Sequence, residues 1–430
     1  MKTTIAFGKT SLTLNLPVGP HYEVVRAHAA APLPDVTQAL EKSLASPIGC
    51  PPLLELAKGK RTAAISVCDV TRPAPNQLTL PPLLAILHRA GMQAEDITIC
   101  IATGLHREAT PAELDSILSP EIAARYPIVN HDARDKAAHR HAGNTERGTP
   151  VWIHHAFVNA DLHITLGFIE QHLMLGFSGG RKLIAPGLAA QETIKVIHSP
   201  RFIREALATE GSTDNNPLHA ELLEIARLAR HDFILDVTLT REREISGIFA
   251  GDPVQAHAAG VASLKASSME VLPEYVDAAI TSAAGYPLDL TFYQTIKGVT
   301  AVQHILKPGG RILALSECSE GIGSPEFARM TRNYTGAQAF LDEIRETPVE
   351  VDQWQLEKIA LVALKHPIHF YAPGIRREQL GEFGARSYAT PEEGITALLD
   401  GVPPNARVAI LPDGPYAYAR VNPRKEPVHT

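Results

Sequence analysis

The chain of 430 residues is longer than one compact hydrophobic core usually supports, so two domains are expected. Its hydrophobic content of 45% and charged content of 20% are typical of a globular protein in water. A formal net charge of −7 argues against nucleic acid or an anionic membrane surface as the main partner, and no apolar run approaches the roughly 20 residues that span a bilayer.

The first half of the chain alternates between strand-like and helix-like patterns. Residues 2–16 alternate around the Gly8-Lys9 pair, which predicts an opening β-hairpin. Apolar runs then alternate with amphipathic stretches, the βαβ rhythm of a parallel sheet that is covered on both faces. Strands are expected near 62–69, 97–102 and 161–167, helices near 82–90, 191–198 and 220–230, and an antiparallel strand pair over 232–248.

The pattern restarts near residues 262–276 and predicts a second α/β unit with its own core. Its strands are expected near 277–284, 311–316, 360–364 and 407–411, and its helices near 299–306, 335–346 and 391–399. We therefore predict two α/β domains with mainly parallel sheets, over residues 1–265 and 266–400. A C-terminal segment, 401–430, follows, and its last residues are expected to be loose.

The cellular compartment is predicted from the N-terminus and the cysteines. The first residues run into the hairpin pattern rather than into an apolar leader segment. The four cysteines are dispersed, and Cys68 and Cys100 lie inside expected buried strands. Buried thiols are typical of a reducing compartment, so we expect a cytoplasmic protein.

The most informative segment runs from His172 to Gly187 and reads His-Leu-Met-Leu-Gly-Phe-Ser-Gly-Gly-Arg-Lys-Leu-Ile-Ala-Pro-Gly. Glycine permits φ > 0 and close approach to a ligand, so the Ser-Gly-Gly turn is typical of a loop that surrounds a bound group. A lysine held there, Lys182, can form a Schiff base, bind a phosphate or anchor a covalent group. Taken alone, the segment also fits a surface turn with a solvated Arg-Lys pair.

Polar clusters follow two expected strands of the first domain. Asp-Val-Thr-Arg, at residues 69–72, comes after one apolar run, and Thr-Gly-Leu-His-Arg, at 103–107, comes after the next. Because ligands bind at the carboxyl edge of open α/β sheets, both clusters are candidates for one site. In the second domain, Tyr-Gln-Thr-Ile-Lys, at 293–297, follows the strand-like run at 278–284.

Together these motifs resemble the nickel-dependent lactate racemase family. Five motifs occur in the family's order: Asp-x-Thr-Arg-Pro, Thr-Gly-x-His-Arg, Glu-x-His before Ser-Gly-Gly-Arg-Lys, the later His198, and Tyr-Gln-x-x-Lys. The resemblance spans roughly residues 60 to 300, with weaker similarity towards Trp354. Each motif alone is weak evidence, whereas the ordered set is specific.

The resemblance implies a cofactor and a role for each motif. The cofactor is the nickel pincer nucleotide, Ni(II)-pyridinium-3,5-bisthiocarboxylate mononucleotide, which Lys182 holds through a thioamide. His198 is the implied protein ligand to nickel, and imidazole suits that metal. The other implied residues are the nucleotide and phosphate contacts Asp69, Val70, Thr71 and Arg72, the acid/bases His106 and His172, and the substrate contacts Arg72, Tyr293, Gln294, Lys297 and Trp354.

The implied reaction is the racemisation or epimerisation of a 2-hydroxy acid at C2. Its Cα–H is only weakly acidic, so moving that hydrogen as hydride avoids a dianion and passes through a 2-keto acid. Lys297 lies in the second domain, so we expect an interdomain active-site cleft. Gln171 and the apolar residues Leu173, Met174 and Leu175 depart from the family pattern, so lactate and larger relatives such as sugar acids both stay open as substrates.

The motifs also bear on two other functions. A nicotinamide-dependent hydroxy-acid dehydrogenase needs a glycine-rich dinucleotide loop, and the Gly321-Ile-Gly323 segment lacks its third glycine and later acidic residue. A non-catalytic cofactor-binding protein would not need paired histidines and Lys297. The expected partners are a small 2-hydroxy acid and cofactor-maturation proteins, without nucleic acid or membrane. The oligomeric state stays open, with a homodimer as one option.

Overall fold

A computed structural model describes residues 1–28 and 30–422. The strands are β1 (Lys2–Phe7), β2 (Thr10–Asn15), β3 (His21–Val24), β4 (Ala63–Cys68), β5 (Ile97–Ala102), β6 (Ile128–Asn130), β7 (His139–Asn144), β8 (Pro150–His154), β9 (Leu162–Phe168), β10 (Gln171–His172), β11 (Gly176–Phe177), β12 (Phe233–Leu239), β13 (Ile245–Gly251), β14 (Met269–Leu272), β15 (Val276–Ser282), β16 (Leu306–Leu315), β17 (Ile368–Tyr371), β18 (Arg407–Leu411) and β19 (Tyr418–Val421).

The α-helices are α1 (Val36–Ala45), α2 (Leu53–Leu56), α3 (Asn76–Arg89), α4 (Pro111–Leu118), α5 (Pro120–Arg125), α6 (His155–Val158), α7 (Gln191–Ile197), α8 (Pro200–Ile203), α9 (Pro217–Leu228), α10 (Gln255–Ser268), α11 (Phe292–Val302), α12 (Pro325–Arg332), α13 (Ala337–Glu346), α14 (Gln353–Ala363) and α15 (Pro391–Leu399). A short 3-10 turn, Gly180–Leu183, forms part of the glycine-rich loop. No helix within the described residues is long and apolar enough to cross a bilayer.

The six-stranded unit comprises the described residues of 29–198 and 207–267. Its sheet has the strand order β13-β12-β9-β4-β5-β6, and every neighbouring pair is parallel except β12 and β13. All six residues of β4 are buried, as expected for a central strand that is covered on both faces. The polar clusters after β4 and β5 therefore emerge side by side at one edge of the sheet.

The five-stranded unit comprises the described residues of 1–28, 199–206 and 268–430. Its sheet has the order β17-β16-β15-β18-β3, with all neighbouring pairs parallel. The chain leaves β15 towards β16 on one side and returns through β18 on the other, so the carboxyl end of β15 is a topological switch point. Helix α11 begins in the connection that follows this strand end.

Several sequence predictions differ from the structure. The strand expected at 360–364 is not formed: residues 360–363 belong to the buried helix α14, and the strand is β17 at 368–371. A short apolar run does not distinguish a buried helix from a buried strand, which explains the error. The helix expected at 82–90 begins at Asn76. The helix expected at 299–306 overlaps α11 only at 299–302, because α11 begins at Phe292 and β16 begins at Leu306.

The two units also divide the chain differently from the expected domains 1–265 and 266–400. Residues 1–28 and 199–206 belong with the chain after residue 268, because β3 pairs with β18 and the segment at 199–206 contacts α14. The segment from 401 contributes β18 to the sheet. The looseness expected for the last residues concerns 423–430, which lie outside the described part of the chain. The opening hairpin, β1 and β2, and the antiparallel pair of β12 and β13 are as predicted.

Candidate functional site

The first candidate residues lie at the carboxyl ends of β4 and β5. The imidazole Nδ1 of His106 donates to Oδ2 of Asp69 over 2.7 Å, and the hydroxyl of Thr71 donates to Oδ1 over 2.7 Å. Burial alone would raise the pKa of Asp69, but the hydrogen bonds from His106 and Thr71 and the charges of His106 and Arg72 outweigh it and lower this pKa. Asp69 is therefore a carboxylate that fixes the orientation of His106, whose side chain is 49% exposed.

His172 lies on β10, which pairs with β11 in a short hairpin. The backbone N–H groups of Met174 and Leu175 both donate to its Nδ1, each over 3.3 Å. The neutral ring therefore carries its proton on Nε2. In His106, by contrast, Nδ1 carries the proton and Nε2 the lone pair, so the two candidate acid/bases are held in opposite tautomers.

Lys182 lies on the glycine-rich loop, half-buried, within the turn Gly180–Leu183. Gly179 has φ 88°, and a Cβ there would lie 2.5 Å from Oδ2 of Asp236, so this position requires glycine. Two contacts hold the loop against the strand ends. The Ser66 hydroxyl of β4 donates to Leu183 O over 2.8 Å, and Gly104 N, after β5, donates to Gly187 O over 3.0 Å.

His198 follows the last residue of α7, and its Nδ1 donates to Ile194 O over 2.8 Å. This bond fixes the neutral tautomer with its lone pair on Nε2, the form in which imidazole binds a metal. Burial lowers the pKa of His198 to about 4, the bond to Ile194 opposes the shift, and the charge of Lys182 adds to it. Within the described residues, no three His, Cys, Asp or Glu side chains are arranged to hold a metal ion.

Three of the predicted cofactor residues, Asp69, Arg72 and Lys182, lie close enough to the buried thiol of Cys68 for their charges to act on it. Burial raises the pKa of Cys68 to about 12, and the charges of Asp69, Arg72 and Lys182 also act on it. The six-stranded unit therefore brings the residue 69–72 segment, His106 and Lys182 to one edge of its sheet. Val70 of that segment is exposed.

The remaining candidates belong to the five-stranded unit. Tyr293, Gln294 and Lys297 lie on the first turns of α11, and Trp354 lies on α14. The Trp354 indole N–H donates to the Tyr293 hydroxyl over 3.2 Å, and Nε2 of Gln355 donates to Tyr293 O over 2.8 Å. Trp354 is only 5% exposed, so it supports Tyr293 from within the core.

Gln294 has an unusual environment for an amide side chain. Its Oε1 is buried and accepts no hydrogen bond from the described residues. A buried carbonyl oxygen without a donor costs free energy on the order of 1–3 kcal/mol, which a ligand donor would recover. The N-terminal end of α11, with its partial positive charge, and the nearby Lys297 on the same helix favour an anion.

Sequence reasoning missed three residues that support these groups: Arg181, Asp236 and Gln355. Arg181 is only 1% exposed, so the solvated Arg-Lys pair is ruled out for this residue. Asp236, an acidic residue in the middle of the mainly apolar strand β12, was a detectable signal. The apolar residues Leu173, Met174 and Leu175 are buried, with exposures of 3–5%.

Comparisons with known proteins show the family to which the chain belongs. The family described as lactate racemase N-terminal domain matches residues 7–211, and the lactate racemase C-terminal domain matches 271–416. A lactate racemase of Thermoanaerobacterium thermosaccharolyticum is 31% identical over 416 residues, which cover 95% of this chain and 97% of that protein. A lactate racemase of Lactiplantibacillus plantarum is 34% identical over 381 residues, or 88% of this chain and 89% of that protein.

Solved structures give the same result for the fold. The lactate racemase apoprotein of T. thermosaccharolyticum has a TM-score of 0.89 at 29% identity, and the alignment covers 98% of this chain and 100% of that one. A Thermotoga maritima protein has a TM-score of 0.67 at 16% identity, covering 92% of this chain and all of that one, and shows similarity of fold alone. The α/β class with mainly parallel sheets, predicted from the sequence, is confirmed.

Proposed function

The chain belongs to the lactate racemase family, a family of nickel-dependent isomerases, and from that premise we propose that it inverts C2 of lactate or of a larger 2-hydroxy acid. The observation that carries the proposal is the pair of candidate acid/bases, His106 and His172, held in opposite tautomers. Two such groups can each accept a hydroxyl proton as the neutral imidazole and return it as the imidazolium. Reversible proton transfer to and from a hydroxyl requires both.

The residues present fit a nickel pincer nucleotide. Lys182 is half-buried beside the strand ends, where an amine can serve as a covalent tether, and the lone pair of His198 Nε2 suits nickel. Arg72 and Thr71 supply a guanidinium and a hydroxyl of the kind that bind a phosphate. When bound, such a group would supply the hydride acceptor that side chains lack. Loading it would require cofactor-maturation proteins as partners.

The two histidines would transfer the proton of the substrate hydroxyl. The Nδ1–H of His106 donates a hydrogen bond to the Asp69 carboxylate, so Nε2 is free to act as the base. Asp69 stabilises the imidazolium that forms. His172 would act as the acid in its imidazolium form, giving up its Nε2 proton and keeping a proton on Nδ1. Its Nδ1 must then release the two long 3.3 Å contacts from the Met174 and Leu175 N–H groups. For the opposite enantiomer the roles of the two rings exchange, and His106 keeps its Nδ1–H hydrogen bond to Asp69 in both directions.

Residues of α11 would hold the substrate carboxylate. Lys297 supplies a cation, and the partial positive charge of the helix N-terminus adds to it. The Oε1 of Gln294 would accept a hydrogen bond from a substrate hydroxyl, which satisfies an otherwise costly buried oxygen. Tyr293, braced by Trp354 and Gln355, would form a wall of the substrate pocket.

Mass spectrometry and a substrate panel test this function together. Protein co-expressed with a cofactor-building pathway and nickel should gain mass on Lys182, and Lys182→Ala should not. Lys195→Ala is a matched control, because Lys195 is a half-buried lysine of the same unit. The loaded enzyme should racemise one or more enantiopure 2-hydroxy acids. An adduct on another lysine, or loaded protein inactive on the whole panel, would contradict the proposal.

A further inference from the structure

The glycine-rich loop has a buried cation at its centre. Arg181 is 1% exposed and is the largest of the fully buried side chains described. Burial lowers the pKa of Arg181 to about 9, so the guanidinium still carries its charge at neutral pH. A buried charge is costly unless its donors are satisfied, so its partners identify what it does.

The guanidinium donates to three backbone carbonyls of the same loop. Its Nη2 donates to Phe177 O over 2.9 Å and to Leu175 O over 3.3 Å, and its Nη1 donates to Gly179 O over 3.3 Å. One rigid fork therefore fixes the backbone at alternate positions between 175 and 179. This stretch joins the hairpin of His172 to the turn of Lys182.

One side chain, His257, also contacts the guanidinium. Its Nη1 donates to Nε2 of His257, on α10, over 2.8 Å. That Nε2 also lies 2.7 Å from Ser178 O, but it cannot donate to this carbonyl while it accepts from Arg181. Burial lowers the pKa of His257 well below its usual value, in agreement with a neutral acceptor.

Asp236 supplies a carboxyl group beneath the same loop. A Cβ on Gly179 would meet its Oδ2 at 2.5 Å and one on Gly180 at 3.7 Å, so the carboxyl lies against the loop backbone. Burial raises the pKa of Asp236 to about 7, although the Gly180 N–H and the Arg181 charge act in the opposite direction. The loop is thus packed between a buried cation and a buried acid.

We propose that Arg181 is a positioning residue that sets the distance between the acid/base His172 and the tether Lys182. The two consecutive cations of the turn differ in burial, since Arg181 is fully buried and Lys182 is half-buried. The Arg181 guanidinium holds the loop in its functional conformation before a cofactor is attached to Lys182. The inference rests on the proposed function for the roles of His172 and Lys182, but the shape of the loop can be tested without it.

The test compares Arg181→Lys with Arg311→Lys. Lysine keeps the charge but cannot reach three carbonyls with one planar fork. Arg311 is a matched control, because it also donates to backbone carbonyls, those of Ala397 and Leu398, in the other unit. Hydrogen exchange of the apoprotein should show faster exchange of amides 176–182 in Arg181→Lys than in Arg311→Lys. This measurement needs no cofactor and uses full-length protein.

Kinetics of the loaded enzyme, normalised to adduct mass, give the second measurement. A misplacement of about 1 Å can cost roughly 10²-fold, so Arg181→Lys should lower kcat about 10²-fold with KM unchanged. Amides 176–182 that exchange as in the wild type would overturn the proposal, even if the wild type gains no adduct. A kcat for Arg181→Lys equal to that of Arg311→Lys would also overturn it. Failure of the wild type to load refutes the proposed function instead.

Discussion

Replacing Asp69 with asparagine should inactivate His106 as a base by changing its tautomer. The Thr71 hydroxyl donates to Oδ1 and His106 Nδ1 donates to Oδ2. In Asp69→Asn the amide oxygen should stay with the Thr71 hydroxyl, so the amide N–H would face Nδ1 of His106. The neutral ring would then carry its proton on Nε2 and lose the lone pair that accepts the substrate proton.

The magnitude follows from the hydrogen bonds involved. To act as a base, His106 in the variant must return its proton to Nδ1, against a facing N–H. This loses a bond to a charged group, about 1.5–3 kcal/mol, and leaves buried donors unsatisfied, about 1–3 kcal/mol. The total of about 2.5–6 kcal/mol corresponds to a loss of roughly 10²- to 10⁴-fold in kcat. Asp69→Ala loses only the first part, so it should cost about 10- to 10²-fold.

The assay is racemisation of an enantiopure substrate, followed by chiral chromatography and normalised to the mass of the adduct on Lys182. Normalisation is needed because Asp69 is also a proposed cofactor contact. The sharp expectation is that the isosteric Asn variant is slower than the Ala variant. Adding Thr71→Val to Asp69→Asn should restore part of the activity, because the amide can then turn its oxygen towards His106. A kcat for Asp69→Asn equal to or above that of Asp69→Ala would refute the tautomer argument.

Three further predictions concern the carboxylate contact, the two histidines and the acid stability. Lys297→Ala should lower kcat/KM roughly 10- to 150-fold, from loss of about 1.5–3 kcal/mol, while the adduct mass stays; an unchanged kcat/KM would remove Lys297 from the site. With one equivalent of substrate, His106→Ala should reduce the cofactor from one enantiomer only, and His172→Ala should reduce it from the opposite enantiomer only. Equal reaction of both enantiomers in either variant would mean that a single base serves both. Burial lowers the pKa of His131 to about 3, so the unfolded state binds more protons below pH 6.5, and stability should fall from pH 6.5 to 4 by about 3 kcal/mol for this residue. Urea titrations at each pH should show that the free energy of unfolding falls less steeply with decreasing pH in His131→Gln than in the wild type. The same dependence on pH in both proteins would contradict the assignment.

Local patterns of apolar and turn residues predicted much of the fold. Strands β4, β5, β9 and β18 were located because continuous apolar runs between turn residues are typical of buried parallel strands. The positions of the strand ends followed, and with them the neighbourhood of Asp69 and His106. Helix α14 was mistaken for a strand because a helix buried on most sides loses the polar face that marks its period.

The sequence by itself determined which residue types meet at the edge of the six-stranded sheet, since parallel neighbouring strands end on the same side. Only the folded structure decided which ring nitrogen of each histidine carries the proton. The tautomer of His106 depends on Asp69, 37 residues away, and that of His172 depends on two N–H groups of its own hairpin. The folded structure also decided the orientation of Arg181. Nothing in a Gly-Gly-Arg-Lys string fixes which cation is buried. That follows from α10, 76 residues further along the chain, whose His257 accepts from the guanidinium inside the core.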